Sequence, residues 1–139
     1  GVVAFMENNI NLVRQRYYQD GFGYVFTLFG YRLAVSINFP YKSTNYIIQG
    51  TAGDLCKMAM LAIDGYLTRQ GLHDRVRLIL TIHDELVLQA HKSVPIDPYI
   101  LDIAHMMSRQ SDAIQCPTPV NVSRALTHWG DCKPLNISV

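Results

Sequence analysis

The sequence predicts an α+β domain built around an antiparallel sheet. Two observations carry this. Apolar residues recur at helical spacing in three separate stretches. Between the second and third of these lies Arg75 to His91, two short aliphatic runs separated by His83, Asp84 and Glu85. Runs of that length and content read as strands, and the polar residues between them suit a tight connection. The predicted order is helix, hairpin, helix, hairpin, helix, strand.

Residues Ala4 to Tyr18 suit an amphipathic helix, with Met6, Ile10, Val13 and Tyr17 on one stripe. Gly21 and Gly23 end it. Tyr24 to Leu28 and Tyr31 to Ile37 then read as two β segments around Phe29-Gly30, and Pro40 closes that unit. The second helix carries the clearest periodicity. Ala52, Leu55, Cys56, Ala59, Ala62, Ile63, Tyr66 and Leu67 share a face, and Gly71 is placed to stop the chain there. Thr51 and Asp54 have the spacing of a capping box, which predicts a helix start or restart at Gln49-Gly50-Thr51. Met58, Met60 and Leu61 widen the apolar face as packing residues. Beyond the central hairpin, Asp97-Pro98 begins a third helix, and Ile100, Ile103, Ala104 and Met107 carry it toward Arg109. Pro117 and Pro119 break the chain, and Val120 to Leu126 alternates like a terminal strand.

A chain of 139 residues is long enough to bury a core. Hydrophobic residues make up 49% and charged residues 17%, rather apolar for a free-standing domain, so part of the surface is expected to be covered by a partner, with the aromatic N-terminal region (Tyr17, Tyr18, Phe22, Phe26, Phe29) contributing. The net charge of +1 creates no strong global field, so nucleic-acid affinity would have to come from local patches. Cys56, Cys116 and Cys132 are widely spaced and odd in number, which argues against a disulfide framework and for a reduced, intracellular setting. No signal peptide and no membrane-length apolar run is present. The chain begins on Gly1 with residues that already look structured, which points to a trimmed or excised piece.

Adjacent carboxylates beside strands expected to be half or fully buried are costly to desolvate unless a cation or donors compensate them. The plainer reading is that Asp84 and Glu85 are solvated turn residues. The five histidines show no H-E-x-x-H pair and no Cys/His spacing of a structural zinc site. Gly21-Phe22-Gly23 lacks the strand-to-helix context of a phosphate loop, and no nucleophile elbow occurs. What remains is Asp84-Glu85, hard oxygen donors suited to magnesium or manganese.

Gln49-Gly50-Thr51-Ala52-Gly53-Asp54-Leu55, followed by Ile82-His83-Asp84-Glu85-Leu86-Val87, resembles the family A DNA polymerases, the DNA polymerase I group. The segment Gly23 to Arg32 is similar to that family's hairpin before the helix, and Ser123 to Gly130 to its C-terminal strand. Asp54 to Met60 looks closer to the theta and nu branch, and a phage origin fits equally well. The resemblance covers nearly the whole chain and implies an antiparallel palm-type sheet with packed helices. Residues 1–139 would then be the C-terminal part of the polymerase domain, an incomplete polymerase fold.

The same resemblance implies that Asp84 is a metal-binding aspartate, with Glu85 beside it and His83 next to the primer terminus. It makes Gln49 and Asn45 minor-groove contacts to the primer-template and Arg32 a further DNA contact. Amides there can meet acceptors common to every base pair. The plainer readings are that the asparagine caps a helix and the glutamine is a surface residue. Mg2+, with Mn2+ possible, is the implied cofactor. Primer-template DNA and a deoxynucleoside triphosphate are the implied partners, with no membrane. The departures matter as much. The family's other metal-binding aspartate and its triphosphate-gripping fingers helix are absent, and Tyr41 stands where an arginine is frequent. Two-metal phosphoryl transfer needs both attacking and leaving oxygens clamped. A larger polypeptide carrying the missing parts is therefore the expected partner, and the isolated chain is expected to be inactive. The cellular setting would be a bacterial or phage-infected cytoplasm, or a eukaryotic nucleus or organelle. Two other readings stay open: a polymerase-derived DNA-binding or interaction module without catalysis, and a two-metal nuclease, which lacks a second acidic motif.

Overall fold

The computed structural model describes residues 1–108 and 111–139. Among them the order is α1 (Val2–Asp20), β1 (Tyr24–Phe26), β2 (Arg32–Ala34), α2 (Ser43–Arg69), β3 (Val76–Ile82), β4 (Glu85–Ala90), α3 (Asp97–Ser108), β5 (Asn121–Arg124) and β6 (Lys133–Ser138). Short 3-10 turns precede α2 at Pro40–Lys42 and β6 at Trp129–Asp131. The fold is α+β, as the sequence predicts. Its strands form three separate two-stranded antiparallel ribbons, β1-β2, β3-β4 and β5-β6. The chain divides into two compact units, Gly1–Asp54 and Leu55–Val139, with the boundary inside α2.

In the first unit α1 ends where expected. Gly21 adopts a left-handed φ of 82° and its N–H closes on the Tyr17 carbonyl, a conformation glycine takes without steric cost. The predicted apolar stripe is only half used: Val13 is buried, while Met6 and Tyr17 are exposed. Asn9 is buried instead, its Nδ2 donating to Thr44 Oγ1 at 3.3 Å. Val13 packs with Val25 and Val35. Both hairpin strands are shorter than predicted. The pairs Tyr24–Ala34, Val25–Leu33 and Phe26–Arg32 put Val25 inside and Tyr24, Phe26 and Arg32 on the other face.

The helix start is a correction. α2 begins at Ser43, following the Pro40 turn, and runs unbroken through Gln49-Gly50-Thr51. The residues with capping-box spacing bond elsewhere. Thr51 Oγ1 accepts from the Leu28 N–H at 3.0 Å, and Thr27 Oγ1 donates to Asp54 Oδ2 at 2.6 Å. Thr27 Oγ1 also accepts from the Tyr31 N–H at 3.0 Å. Mid-helix N–H groups need no cap, so these side chains are free to fasten the β1–β2 connection to the helix.

In the second unit Ile63, Tyr66 and Leu67 of α2 form a core with Leu72, Val76, Val94 and Ile103. Of the predicted helix face, Ala59 is also buried and Ala52 is exposed. Tyr66 donates its hydroxyl to Asp102 Oδ2 at 2.5 Å, tying α2 to α3. Burial first, then that hydrogen bond, pushes the Tyr66 hydroxyl up to about 12. The third helix starts at Asp97 as predicted, and Arg109 lies outside the described residues. The terminal strand Val120 to Leu126 shortens to β5 and gains an unanticipated partner, β6, whose Leu135 and Ile137 alternate with Asn136 and Ser138.

Candidate functional site

The β3–β4 ribbon is held along one face by the α2–α3 core. Val76 is buried, and Leu78, Leu86, Leu88 and Ala90 pack against the α2–α3 core. Register runs from Val76–Ala90 to Ile82–Glu85, so the connection is His83-Asp84 alone and Glu85 is the first residue of β4. This corrects the predicted three-residue turn. His83 adopts a left-handed φ of 53°. That region is uncommon outside glycine, although histidine is among the residues enriched there.

His83, Asp84 and Glu85 are thus held side by side, all exposed. The expectation of half- or fully buried strands fails in the middle of β3, where Ile79 and Leu80 are 53% and 46% exposed. The physical reason is sidedness: Leu78, Leu86, Leu88 and Ala90 pack against the α2–α3 core along the ribbon's length, and Ile79 and Leu80, at the register shift, take no part in that packing. The ladder also shifts register between Leu78 and Leu80, with Ile79 as the extra residue of a bulge. Bulges re-aim a strand and are frequent next to active sites. An apolar hollow lined by Met60, Leu78, Ile79, Leu80 and Thr81 lies along β3.

Exposed carboxylates at a hairpin tip have the donor chemistry for a divalent cation that prefers oxygen. Among the described residues no group of three or more His, Cys, Asp and Glu side chains is close enough to hold a metal.

The other predicted contacts belong to the first unit. Asn45 and Gln49 sit one turn apart on α2, on the same face, and both are exposed. Gly50 brings this part of α2 against the hairpin: a Cβ there would lie 2.5 Å from Leu33 Cδ1 and 2.8 Å from Thr27 Cγ2. Arg32 lies over the rings of Phe22 and Tyr24, at 5.3 and 5.4 Å. The structure thus groups His83, Asp84 and Glu85 in one unit, and Arg32, Asn45 and Gln49 in the other.

Sequence reasoning missed two features. Thr27, Thr51 and Asp54 fasten the hairpin to α2. Arg16 joins Arg32 over the aromatic face of β1, 4.6 Å from the Tyr24 ring centroid and 5.3 Å from that of Phe26. The alternation Phe22, Tyr24, Phe26 was the available signal for the second.

A family model described as DNA polymerase family A matches residues 1–131. DNA polymerase I of Rhizobium leguminosarum is 30% identical over 94% of this chain and 13% of its own length. DNA polymerase I of Chloroflexus aurantiacus is 31% identical over 97% of the chain and 14% of its own length. The thermostable DNA polymerase I of Thermus thermophilus is 39% identical over 66% of the chain and 11% of its own length. The chain therefore spans only about an eighth of the first two relatives. Over nearly all of its length, this chain belongs to DNA polymerase family A.

Proposed function

We propose that this chain is the C-terminal palm portion of a DNA-directed DNA polymerase, active only together with the missing palm and fingers. The observation that carries the reading is the exposed His83-Asp84-Glu85 tip, held by the Ile82–Glu85 pair in a chain of this family. Asp84 is the metal-binding carboxylate. Glu85 supports it from the adjacent position, and His83 lies next to the primer terminus. A divalent cation, Mg2+ or Mn2+, would supply neutralisation of charge on the transferring phosphoryl group. Asn45 and Gln49 present amide groups from one helix face to the minor groove of the primer-template. Arg32 adds a cationic contact to the DNA. The substrates are primer-template DNA and a deoxynucleoside triphosphate, which implies an intracellular setting. No helix among the described residues is long and apolar enough to cross a membrane.

The larger partner polypeptide supplies the second aspartate and the fingers helix. Exposed apolar side chains on α1 (Val2, Val3, Phe5) and on β3 (Ile79, Leu80) are the surfaces such a partner would cover. The test is complementation: a family A polymerase truncated before this region, mixed with the 139-residue chain, should extend a primer when neither piece does so alone. Binding of primer-template without extension in the mixture would favour the non-catalytic DNA-binding module. Extension by the chain alone would overturn the split reading.

A further inference from the structure

The outer face of the β1–β2 ribbon carries an aromatic and guanidinium ladder that the polymerase reading uses only through Arg32. Phe22 and Tyr24 meet at 5.3 Å, and Tyr24 and Phe26 at 5.5 Å edge to face. Arg16 lies over Tyr24 and Phe26, and Arg32 over Phe22 and Tyr24. Arg16 is fixed further by its Nη1 donating to the Tyr24 carbonyl at 2.7 Å. The two terminal rings remain open, Phe22 at 45% and Phe26 at 43% exposed.

We infer that this face is a stacking platform for single-stranded nucleic acid. An apolar protein partner would have to strip water from two guanidiniums as well as cover the rings, a costly exchange without paired acceptors. A nucleotide strand uses both kinds of group, with bases stacking on aromatic faces and phosphates pairing with arginines. The rings touch one another, so bases stack on the open surfaces of Phe22 and Phe26 and do not insert between them. The cation–π contacts hold both guanidiniums in place before the strand arrives, which reduces the ordering cost of binding. One group opposes the strand: Asp20, whose Oδ2 accepts from the Tyr24 hydroxyl at 2.9 Å, places a carboxylate beside the platform. The proposal shares Arg32 with the polymerase reading but needs neither the carboxylate tip nor a partner chain.

The experiment is fluorescence anisotropy of a labelled oligo-dT with the 139-residue chain at low salt. Phe22→Leu and Phe26→Leu keep apolar bulk and remove the ring, so the fold is retained, with circular dichroism as the check. Each should weaken binding about tenfold, the scale of base–aromatic stacking. Arg16→Gln and Arg32→Gln should each flatten the salt dependence, and Asp20→Asn should tighten binding. Tyr18→Ala, an exposed aromatic outside the ladder, should bind as the unaltered chain does. No oligo-dT binding by the unaltered chain, or binding by both leucine variants as tight as that of the unaltered chain, overturns the proposal. Primer extension in the complementation assay is read separately. Extension with an inert platform would sink this inference and leave the polymerase reading standing.

Discussion

Replacing Gly50 by alanine tests how the hairpin is seated on α2, and Gly53→Ala supplies the internal control. Both positions are inside the same helix, three residues apart. Alanine is favoured over glycine in a helix interior by about 1 kcal/mol, a gain common to both variants. What differs is the space. At Gly53 a new Cβ meets nothing within 4 Å, whereas at Gly50 it falls 2.5 Å from Leu33 Cδ1 and 2.8 Å from Thr27 Cγ2. Leu33 packs against the Val13, Val25 and Val35 core, and Thr27 is tied through its hydroxyl to Asp54 and to the Tyr31 N–H. Neither neighbour can retreat freely. Overpacking of this kind costs about 1–3 kcal/mol. Because the helix gain cancels in the comparison, the difference between the variants should equal that packing cost. At roughly 2–4 °C per kcal/mol for a chain of this size, Gly50→Ala should melt about 2–12 °C below Gly53→Ala. Circular dichroism melts of the two variants decide it. A Gly50→Ala chain melting with or above Gly53→Ala would show that the hairpin is not clamped to the helix as described.

Tyr66 predicts a pH dependence. Its folded-state pKa, raised to about 12 from the usual 10, contributes stability fully present below pH 10 and lost as pH rises toward 12; Tyr66→Phe should remove that part of the alkaline melting profile. At neutral pH the same variant should cost about 1 kcal/mol for the lost bond to Asp102, measured by urea unfolding. His83→Gly should relieve the left-handed backbone and stabilise the ribbon by about 1 kcal/mol. If His83 acts at the primer terminus, that stabilised variant should nonetheless extend primers more slowly in the complemented enzyme.

The elements with strong local signals were legible from sequence: α1 with its glycine stop, the Asp97 start of α3, and the β3–β4 hairpin. The misreadings have physical causes. Thr51 and Asp54 have cap spacing, but α2 had already begun at Ser43, so tertiary hydrogen bonds to Leu28 and Thr27 claimed both side chains. β6 did carry a signal, since Leu135, Ile137 and Val139 alternate with Asn136 and Ser138, but the pattern is short and begins on Pro134, a residue that demotes a strand reading. The exposure of Ile79 and Leu80 could not be read. Aliphatic content indicates what a strand prefers to bury, not whether this chain supplies the cover. The carboxylate tip was legible as a pair, and its two-residue geometry was not, because Glu85 is polar in type and a strand residue by pairing. The aromatic platform escaped notice because Phe22, Tyr24 and Phe26 suggest ordinary cross-strand packing until Arg16 is brought over them from α1.

The central claim is that the β3–β4 tip is catalytic, and Asp84→Asn in the complemented polymerase tests it most directly. The substitution keeps shape and one carbonyl oxygen while removing the charge that would hold the metal. Single-turnover primer extension should fall by roughly a thousandfold or more, the several kcal/mol assigned to such charge stabilisation. Glu85→Gln should fall by less, and primer-template affinity should change little, because backbone phosphate contacts dominate it. Near-normal single-turnover extension by Asp84→Asn would contradict the account and leave the hairpin as a solvated turn.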